Sequence, residues 1–360
     1  MKKILFSAYS LDIGGIETAL VTLLNELQKK EYDITLVLEK KEGIFLKEIN
    51  PKIKIIEYNP SQSKNIIKRK ISNFWKRINF IIKYKNRFDF SASFATYSNA
   101  GAFVARTASK KSCLWGHSDY FIVFENNIEE MKKFFKEKKY NKFKHIIFVS
   151  KKGRNSFISV FPEMKNKTIL CNNLVESKKI QELSKEKIEI EKEEITTFLN
   201  VGRHDEKEKK LSRIIEVSEK LKQDGQKFKI LFVGDGKDTE KYKEMVKEKS
   251  LEEQIIFLGR KKNPYPYFKI SDCVILTSDY EGYPVVFLES MILNKPIITT
   301  KVSDYEEIDG KYGYITEKEV NDIYEKMKLF IEKGFEIKEK FDAETYNKQI
   351  IEKLEKLINS

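Results

Sequence analysis

Short apolar runs alternate along this chain with longer segments in which apolar residues recur every three or four positions. The first pattern is that of a strand covered on both faces, the second that of an amphipathic helix. Residues 3–8 (K-I-L-F-S-A) predict a buried parallel strand, followed by a loop over 9–15 and a helix over 16–29 with Ala19, Leu20, Leu23, Leu24 and Leu27 on one face. Further strands are predicted at 33–38, 53–57, 89–94, 112–115, 145–150 and 167–171. A polar, charged stretch, 172–194, is short of large apolar residues and reads as a connection between domains. The pattern then restarts with a strand at 195–201, a helix at 211–223, strands at 228–233, 255–259 and 273–276, an apolar segment at 295–298 and a last helix over 342–357. Strands alternating with helices imply βαβ units and mostly parallel sheets. The expected organisation is two Rossmann-like α/β domains, 1–172 and 173–340, with a final helix, 341–360, that crosses back onto the first.

Composition bounds the function classes. The chain is 41% hydrophobic, enough to build two cores, and no apolar run approaches the length of a membrane span. It begins with Lys2-Lys3 and a short strand, so no signal peptide is expected and a cytoplasmic location is. Cys113, Cys171 and Cys273 are scattered and odd in number, which fits reduced thiols. The net charge of +13 is unevenly spread: residues 1–180 hold 35 basic and 17 acidic side chains, the remainder 33 and 38. Residues 61–88 hold nine Lys or Arg and no acid, interleaved with Ile66, Ile67, Ile71, Phe74, Trp75, Ile78, Ile81 and Ile82. Such a segment either packs its apolar stripe on a sheet or lies on an anionic membrane surface. No recognised nucleic-acid module accompanies the charge, so nucleic acid is not expected as a partner.

One stretch carries candidate chemistry. Ser278-Asp279-Tyr280-Glu281-Gly282-Tyr283-Pro284-Val285-Val286-Phe287-Leu288-Glu289 follows an apolar strand and opens a helix predicted over 285–293. Pro284 suits the first turn of that helix, Gly282 permits a tight turn, and the free N–H groups at the helix start favour anions and hydroxyls. Glu281 and Glu289 are about 8–10 Å apart by helical rise. They are too far apart to share a proton, yet placed to hold two parts of one elongated polar ligand. A capped helix with a solvated glutamate at each end satisfies the same spacing. Elsewhere, His117 follows a strand in W-G-H-S, at the end where ligands gather in parallel sheets. Gly14-Gly15 and Gly234-Asp235-Gly236 are glycine turns at strand ends, and neither is a G-x-G-x-x-G dinucleotide fingerprint. There is no Asp-x-Asp and no clustered Cys/His spacing.

E-G-Y-P-V-V-F-L-E-S-M resembles the E-x7-E signature of retaining glycosyltransferases of the GT-B fold, the GT4 or glycosyltransferase group 1 family, which includes sucrose synthases and many bacterial surface-polysaccharide transferases. The likeness recurs in order along most of the chain: Gly14-Gly15-Ile16-Glu17 resembles the family's G-G-x-E turn, Trp115-Gly116-His117 its histidine after a strand, and Gly202-Arg203 with Lys209 its arginine–lysine pair. The G-R-H-D-E-K-E-K-K run needs one extra residue for Lys209 to match, so Lys207 or Lys210 remain open.

The resemblance implies a GT-B architecture with an interdomain cleft. In it, Glu281 would hold the sugar's hydroxyls and Glu289 the ribose. The N–H groups of Gly282, Tyr283 and Val285, beside Pro284, would line the donor, Gly234 and Arg260 would border the nucleotide, and Arg203 and Lys209 would stabilise the leaving diphosphate without metal. His117 and Gly14-Gly15 would position the sugar. The implied reaction is retaining transfer from a nucleotide sugar, a UDP-sugar favoured, of a hexosyl or N-acetylhexosaminyl group onto a glycan or lipid-linked hydroxyl, through a front-face step in which the departing phosphate takes the acceptor's proton. A nucleotide-sugar epimerase of the same fold would need acid–base groups on both faces of the sugar, for which only His117 offers itself. A non-catalytic membrane- or RNA-binding protein is the other alternative.

Overall fold

Ile4, Leu5 and Phe6 are fully buried in the first strand, as a segment covered on both faces requires. In the computed structural model, which describes residues 1–12 and 14–359, the chain divides into two units, Met1–Leu174 with Glu344–Ser360, and Val175–Ala343.

The first unit contains β1 (Lys3–Ala8), β2 (Asp33–Leu38), β3 (Lys54–Glu57), β4 (Phe90–Ser93), β5 (Ser112–Gly116), β6 (His145–Phe148) and β7 (Thr168–Leu170), with helices α1 (Gly15–Gln28), α2 (Ile66–Tyr84), α3 (Asn99–Ala108), α4 (Tyr120–Val123), α5 (Ile128–Glu137) and α6 (Lys151–Val160). The strand order is β3-β2-β1-β4-β5-β6-β7 and each neighbouring pair is parallel. The second unit contains α7 (Ser177–Leu183), β8 (Thr196–Val201), α8 (Leu211–Gln223), β9 (Phe228–Val233), α9 (Thr239–Glu248), β10 (Ile255–Gly259), α10 (Tyr265–Ile270), β11 (Cys273–Leu276), α11 (Val285–Ile292), β12 (Ile297–Thr300), β13 (Gly313–Thr316) and α12 (Val320–Lys333). Its order, β10-β9-β8-β11-β12-β13, is again fully parallel. Both orders run outward from a first strand and then reverse, the doubly wound Rossmann pattern, whose ligands bind at the carboxyl ends of the strands where the order switches. The last helix, α13 (Ala343–Asn359), lies with the first unit, where Lys30 Nζ is 3.6 Å from Glu355 and Ile350, Leu354 and Ile358 are buried.

Several local expectations need correction. The boundary between the units, Leu174 to Val175, falls inside the stretch 172–194 as expected, but the rest of that stretch is not all linker: α7 belongs to the second unit, where Asn263 Nδ2 donates to Leu183 O and to Glu186 Oε2, both at 2.8 Å. The strand expected over 145–150 stops at Phe148, because the Ser150 hydroxyl accepts from Gly153 N at 3.2 Å and caps α6 instead. Pro284 stands one residue before α11 in extended conformation (φ −61°, ψ 120°), as its cap rather than in its first turn. Of the loop expected over 9–15, Ile13 lies outside the described residues, as does Ser360 of the terminal segment.

The basic segment forms α2, started by Asn65, whose side chain accepts from Ile67 N and Lys68 N. Its carboxyl half is anchored: Phe80 is buried, with its ring 5.2 Å from that of Tyr58 and 4.8 Å from that of Tyr84. Its amino half does not pack its apolar stripe on the sheet, contrary to the core-packed expectation. Ile66, Ile67, Ile71, Phe74 and Trp75 are all more than half exposed, Trp75 at 63%.

Candidate functional site

In the second unit the strand order reverses between the neighbours β8 and β11, and the loops that follow them meet. The backbone ties them: Asp279 N donates to Glu208 O at 2.8 Å, and the Thr277 hydroxyl donates to Lys210 O at 3.0 Å. The side chains add a second set. Arg213, one turn into α8, donates to Thr277 O and pairs with Asp279 Oδ1, both at 2.8 Å. Lys318 donates to Asp279 O at 2.8 Å.

That framework brings Lys209 and Glu281 together. Lys209 Nζ lies 2.5 Å from Glu281 Oε1 and 2.9 Å from Glu208 Oε1, and the Ser278 hydroxyl donates to the same Glu281 oxygen at 2.8 Å. Burial pulls the Lys209 ammonium down, but Glu281 and then Glu208 outweigh it and hold the group above its ordinary value. Lys209 is therefore charged throughout the physiological range. Of the three lysines left open by the sequence, Lys209 is placed against the signature glutamate. Lys210 starts α8 in left-handed conformation (φ 51°) and points to Glu206 at 3.6 Å. Arg203 joins the cluster through Glu208, at 3.0 Å, with its own side chain 64% exposed.

The glycines beside it are there for backbone contact. Gly234 has φ 151°, and a Cβ there would run into the Gly202 carbonyl; a Cβ on Gly236 would run into the backbone of His204. The loops after β8 and β9 therefore lie backbone against backbone, joined by His204 N to Asp235 O at 3.1 Å. His204 is fully buried beneath them. The Thr239 hydroxyl donates to Asp235 Oδ1 at 2.8 Å, so its contact with His204 Nδ1 at 2.9 Å requires the proton on Nδ1. His204 serves as a pin for the Arg203 loop. Arg260 is exposed, 3.8 Å from Asp235 Oδ2.

Glu289 lies just over one turn into α11 in a different setting. It is 8% exposed, as is Glu281, so neither is the solvated helix-end glutamate that the spacing alone allowed. The Tyr265 hydroxyl donates to Glu289 Oε1 at 3.1 Å, and no cation pairs with Glu289 among the described residues. Burial pushes its carboxyl up from 4.5 to about 7, against a smaller downward pull from Tyr265. Ahead of α11, the Tyr283 hydroxyl donates to Glu307 at 2.8 Å and the Ser303 hydroxyl donates to Gly282 O, which fixes the turn. Pro284 supplies no side-chain cap to the first N–H groups of α11, which begin at Val285.

The residues expected from the first unit sit at the carboxyl ends of its own sheet. His117 is buried, its Nε2 2.8 Å from Phe94 O, which makes Nε2 the protonated nitrogen and leaves Nδ1 as the acceptor. Burial lowers it to about 4, so the ring is neutral near pH 7. Gly14 precedes α1 in extended conformation, where a Cβ would meet the Glu17 carboxylate, and Gly15 opens the helix.

Residues 180–348 match the family described as Glycosyl transferases group 1. Along 97% of its length the chain is 26% identical to the N-acetylgalactosamine-N,N'-diacetylbacillosaminyl-diphospho-undecaprenol 4-alpha-N-acetylgalactosaminyltransferase of Campylobacter jejuni, covering 96% of that protein. It is 30% identical to an uncharacterized glycosyltransferase of Methanocaldococcus jannaschii over half of this chain and 49% of that one. Among solved structures, Anabaena HepE in complex with UDP and glucose superimposes with a TM-score of 0.77 at 17% identity, over 99% of this chain and all of that one. The apo lipopolysaccharide outer core galactosyltransferase WaaB does so at 0.69 and 16%, over 98% of this chain and all of that one. The fold is GT-B. The matched residues lie mostly in the second unit, and their likeness to group 1 glycosyltransferases supports that class of protein.

The setting of Glu289 generates a pH prediction. Its carboxyl titrates near 7 when folded and near 4.5 when unfolded, so the folded state holds the extra proton between them and stability falls as pH rises across that window. Glu289→Gln should be more stable than the wild type at pH 8 by on the order of 1–3 kcal/mol, an advantage that vanishes towards pH 5. Urea denaturation at both pH values measures it; a difference independent of pH contradicts the assignment.

Proposed function

We propose that this protein transfers a hexosyl or N-acetylhexosaminyl group from a nucleotide sugar, a UDP-sugar favoured, to a hydroxyl of a glycan or lipid-linked acceptor, with retention at the anomeric carbon, in bacterial cell-surface polysaccharide synthesis. The observation that carries the reading is the Lys209–Glu281 pair at the meeting of the loops after β8 and β11, with Arg203 beside it. Two cations held in place by carboxylates are what a leaving diphosphate needs: on binding, Lys209 exchanges Glu281 for phosphate oxygens, and Glu281 is released to accept from the sugar's hydroxyls. Arg203 moves from Glu208 to the same phosphates. Glu289, ionised, accepts from the ribose hydroxyls, and the N–H groups of Gly282, Tyr283 and Val285 line the donor. The names of the relatives support the donor and acceptor classes: HepE is solved with UDP and glucose, and the Campylobacter enzyme acts on a diphospho-undecaprenol-linked sugar.

We also propose that no metal takes part, Lys209 and Arg203 neutralising the diphosphate. A neutral His117 whose Nε2 is committed to Phe94 O is a poor proton donor, which disfavours the epimerase alternative. Transfer from radiolabelled UDP-sugars to a membrane glycolipid extract tests the reading. Lys209→Ala and Arg203→Ala should each lower kcat/KM by about 10²–10³, with wild-type activity intact in excess EDTA. Complete loss on chelation restored by Mn²⁺, or a Lys209→Ala enzyme of wild-type efficiency, contradicts it.

The exposed stripe of α2 supports a location at the inner face of the plasma membrane. No helix among the described residues is long and apolar enough to cross a bilayer. Ile66, Ile67, Ile71, Phe74 and Trp75 nonetheless face solvent on a helix whose segment is basic throughout. We propose that this face enters an anionic lipid surface while Lys68, Arg69 and Lys70 meet its headgroups, each worth roughly 1 kcal/mol near the surface. Trp75→Ala should weaken binding to phosphatidylglycerol vesicles even at low salt while leaving thermal stability unchanged. Undiminished binding, or an unfolded first unit, would overturn the lipid role.

A further inference from the structure

The first sheet also exposes aromatic rings where its strand order reverses. Tyr9 follows β1 and Tyr97 follows β4, which are neighbouring strands on either side of that reversal. Tyr9 is 36% and Tyr97 49% exposed, whereas Phe6, Phe90, Phe94 and Trp115 of the same sheet are buried. The two tyrosine rings stand 6.4 Å apart at 62°. Lys40, directly after β2, holds its ammonium 5.3 Å from the Tyr9 ring centre and 3.5 Å from Glu42. Glu39 accepts from the Ser98 hydroxyl, and burial raises its carboxyl. The Tyr97 hydroxyl is held above its ordinary range by burial first, then by Glu17 and Glu39. Tyr97 is thus about half exposed, with its hydroxyl within the electrostatic reach of two acids.

Two part-exposed rings, one with an ammonium over it and carboxylates nearby, match a sugar more closely than other ligands. A pyranose presents C–H groups that lie on aromatic faces, and hydroxyls that bond to charged rims. Nucleic acid and anionic lipid would both be repelled by Glu17, Glu39 and Glu42. We propose that Tyr9, Tyr97 and Lys40 form a subsite for one pyranose ring of the acceptor saccharide. This rests on the reading of the protein as a nucleotide-sugar transferase. That reading gives the Gly14-Gly15 turn to the transferred sugar, and Glu17, whose carboxylate lies over Gly14, is also one of the acids that raise the Tyr97 hydroxyl. The acceptor's ring would therefore lie beside the turn that holds the sugar it receives.

The test uses UDP as one probe and, as the other, lipid-linked glycans extracted from membranes of the cells that make the protein. Transfer is followed from a mixture of labelled UDP-glucose, UDP-galactose and their N-acetylated forms. Tyr97→Ala should raise the extract concentration giving half-maximal rate by about fivefold or more, while affinity for UDP, read by calorimetry on the same preparation, is unchanged. Tyr97→Phe, which keeps the ring, should restore the wild-type value. Tyr9→Leu, which keeps apolar bulk without an aromatic face, should behave as Tyr97→Ala does and covers the case in which that variant fails to fold. Unchanged dependence on extract in both variants overturns the subsite, as does a parallel loss of UDP affinity. Wild-type protein that binds no UDP overturns the underlying reading and the subsite with it.

Discussion

The ion pair between Lys209 and Glu281 is the constraint around which the second unit's site is built. A lysine side chain only 18% exposed and a glutamate 8% exposed would each be costly alone, and each is tolerable because the other is present. The arrangement around them follows from that need. Glu208 and the Ser278 hydroxyl complete the coordination, Arg213 and Lys318 hold Asp279 so that Glu281 cannot drift, and the Thr277 hydroxyl fixes the backbone at Lys210. The glycines at 234 and 236 let the neighbouring loop close on this framework without side chains in the way. A cation so held is a preorganised counter-charge: the framework keeps it in position whether carboxylate or phosphate faces it.

Glu281 and Glu289, eight residues apart on one motif, are equally buried and yet differently partnered. Glu281 has a lysine on one oxygen. Glu289 has only a tyrosine hydroxyl, and burial lifts it to about 7. The difference comes from what the fold places opposite each. The loop after β8 delivers a cation to the first, and α10 delivers Tyr265 to the second. In the proposed function the pair divides the donor between them, one oxygen-rich end for the sugar and the other for the ribose.

Much of this was legible in the sequence. The helix expected over 211–223 is α8 residue for residue, and the strands at 33–38, 228–233, 255–259 and 273–276 coincide with β2, β9, β10 and β11, because continuous apolar runs and a clean helical period leave little ambiguity. The seven-residue α7, S-K-K-I-Q-E-L, was hidden in a charged stretch because its stability comes from packing in the second unit rather than from its own pattern. Glu208 and Arg213 were invisible for a similar reason: in E-K-E-K-K and the helix after it, nothing in composition marks which charges turn inward. Tyr265 is likewise an ordinary tyrosine until the fold sets it against Glu289. The α2 stripe was ambiguous in principle, since a helix packing on a sheet and one lying on lipid share the same periodicity, and only exposure separates them.

The most direct measurement of the central claim is a double-mutant cycle on Lys209→Met and Glu281→Gln, read by thermal and urea unfolding with and without saturating UDP. Without UDP the pair should couple by on the order of 1–3 kcal/mol, because Lys209→Met leaves Glu281 without its cation and Glu281→Gln leaves Lys209 with Glu208 alone. With UDP the coupling should shrink, as Lys209 turns to the diphosphate. Additive single variants without UDP, or a coupling that UDP leaves unchanged, would contradict the account.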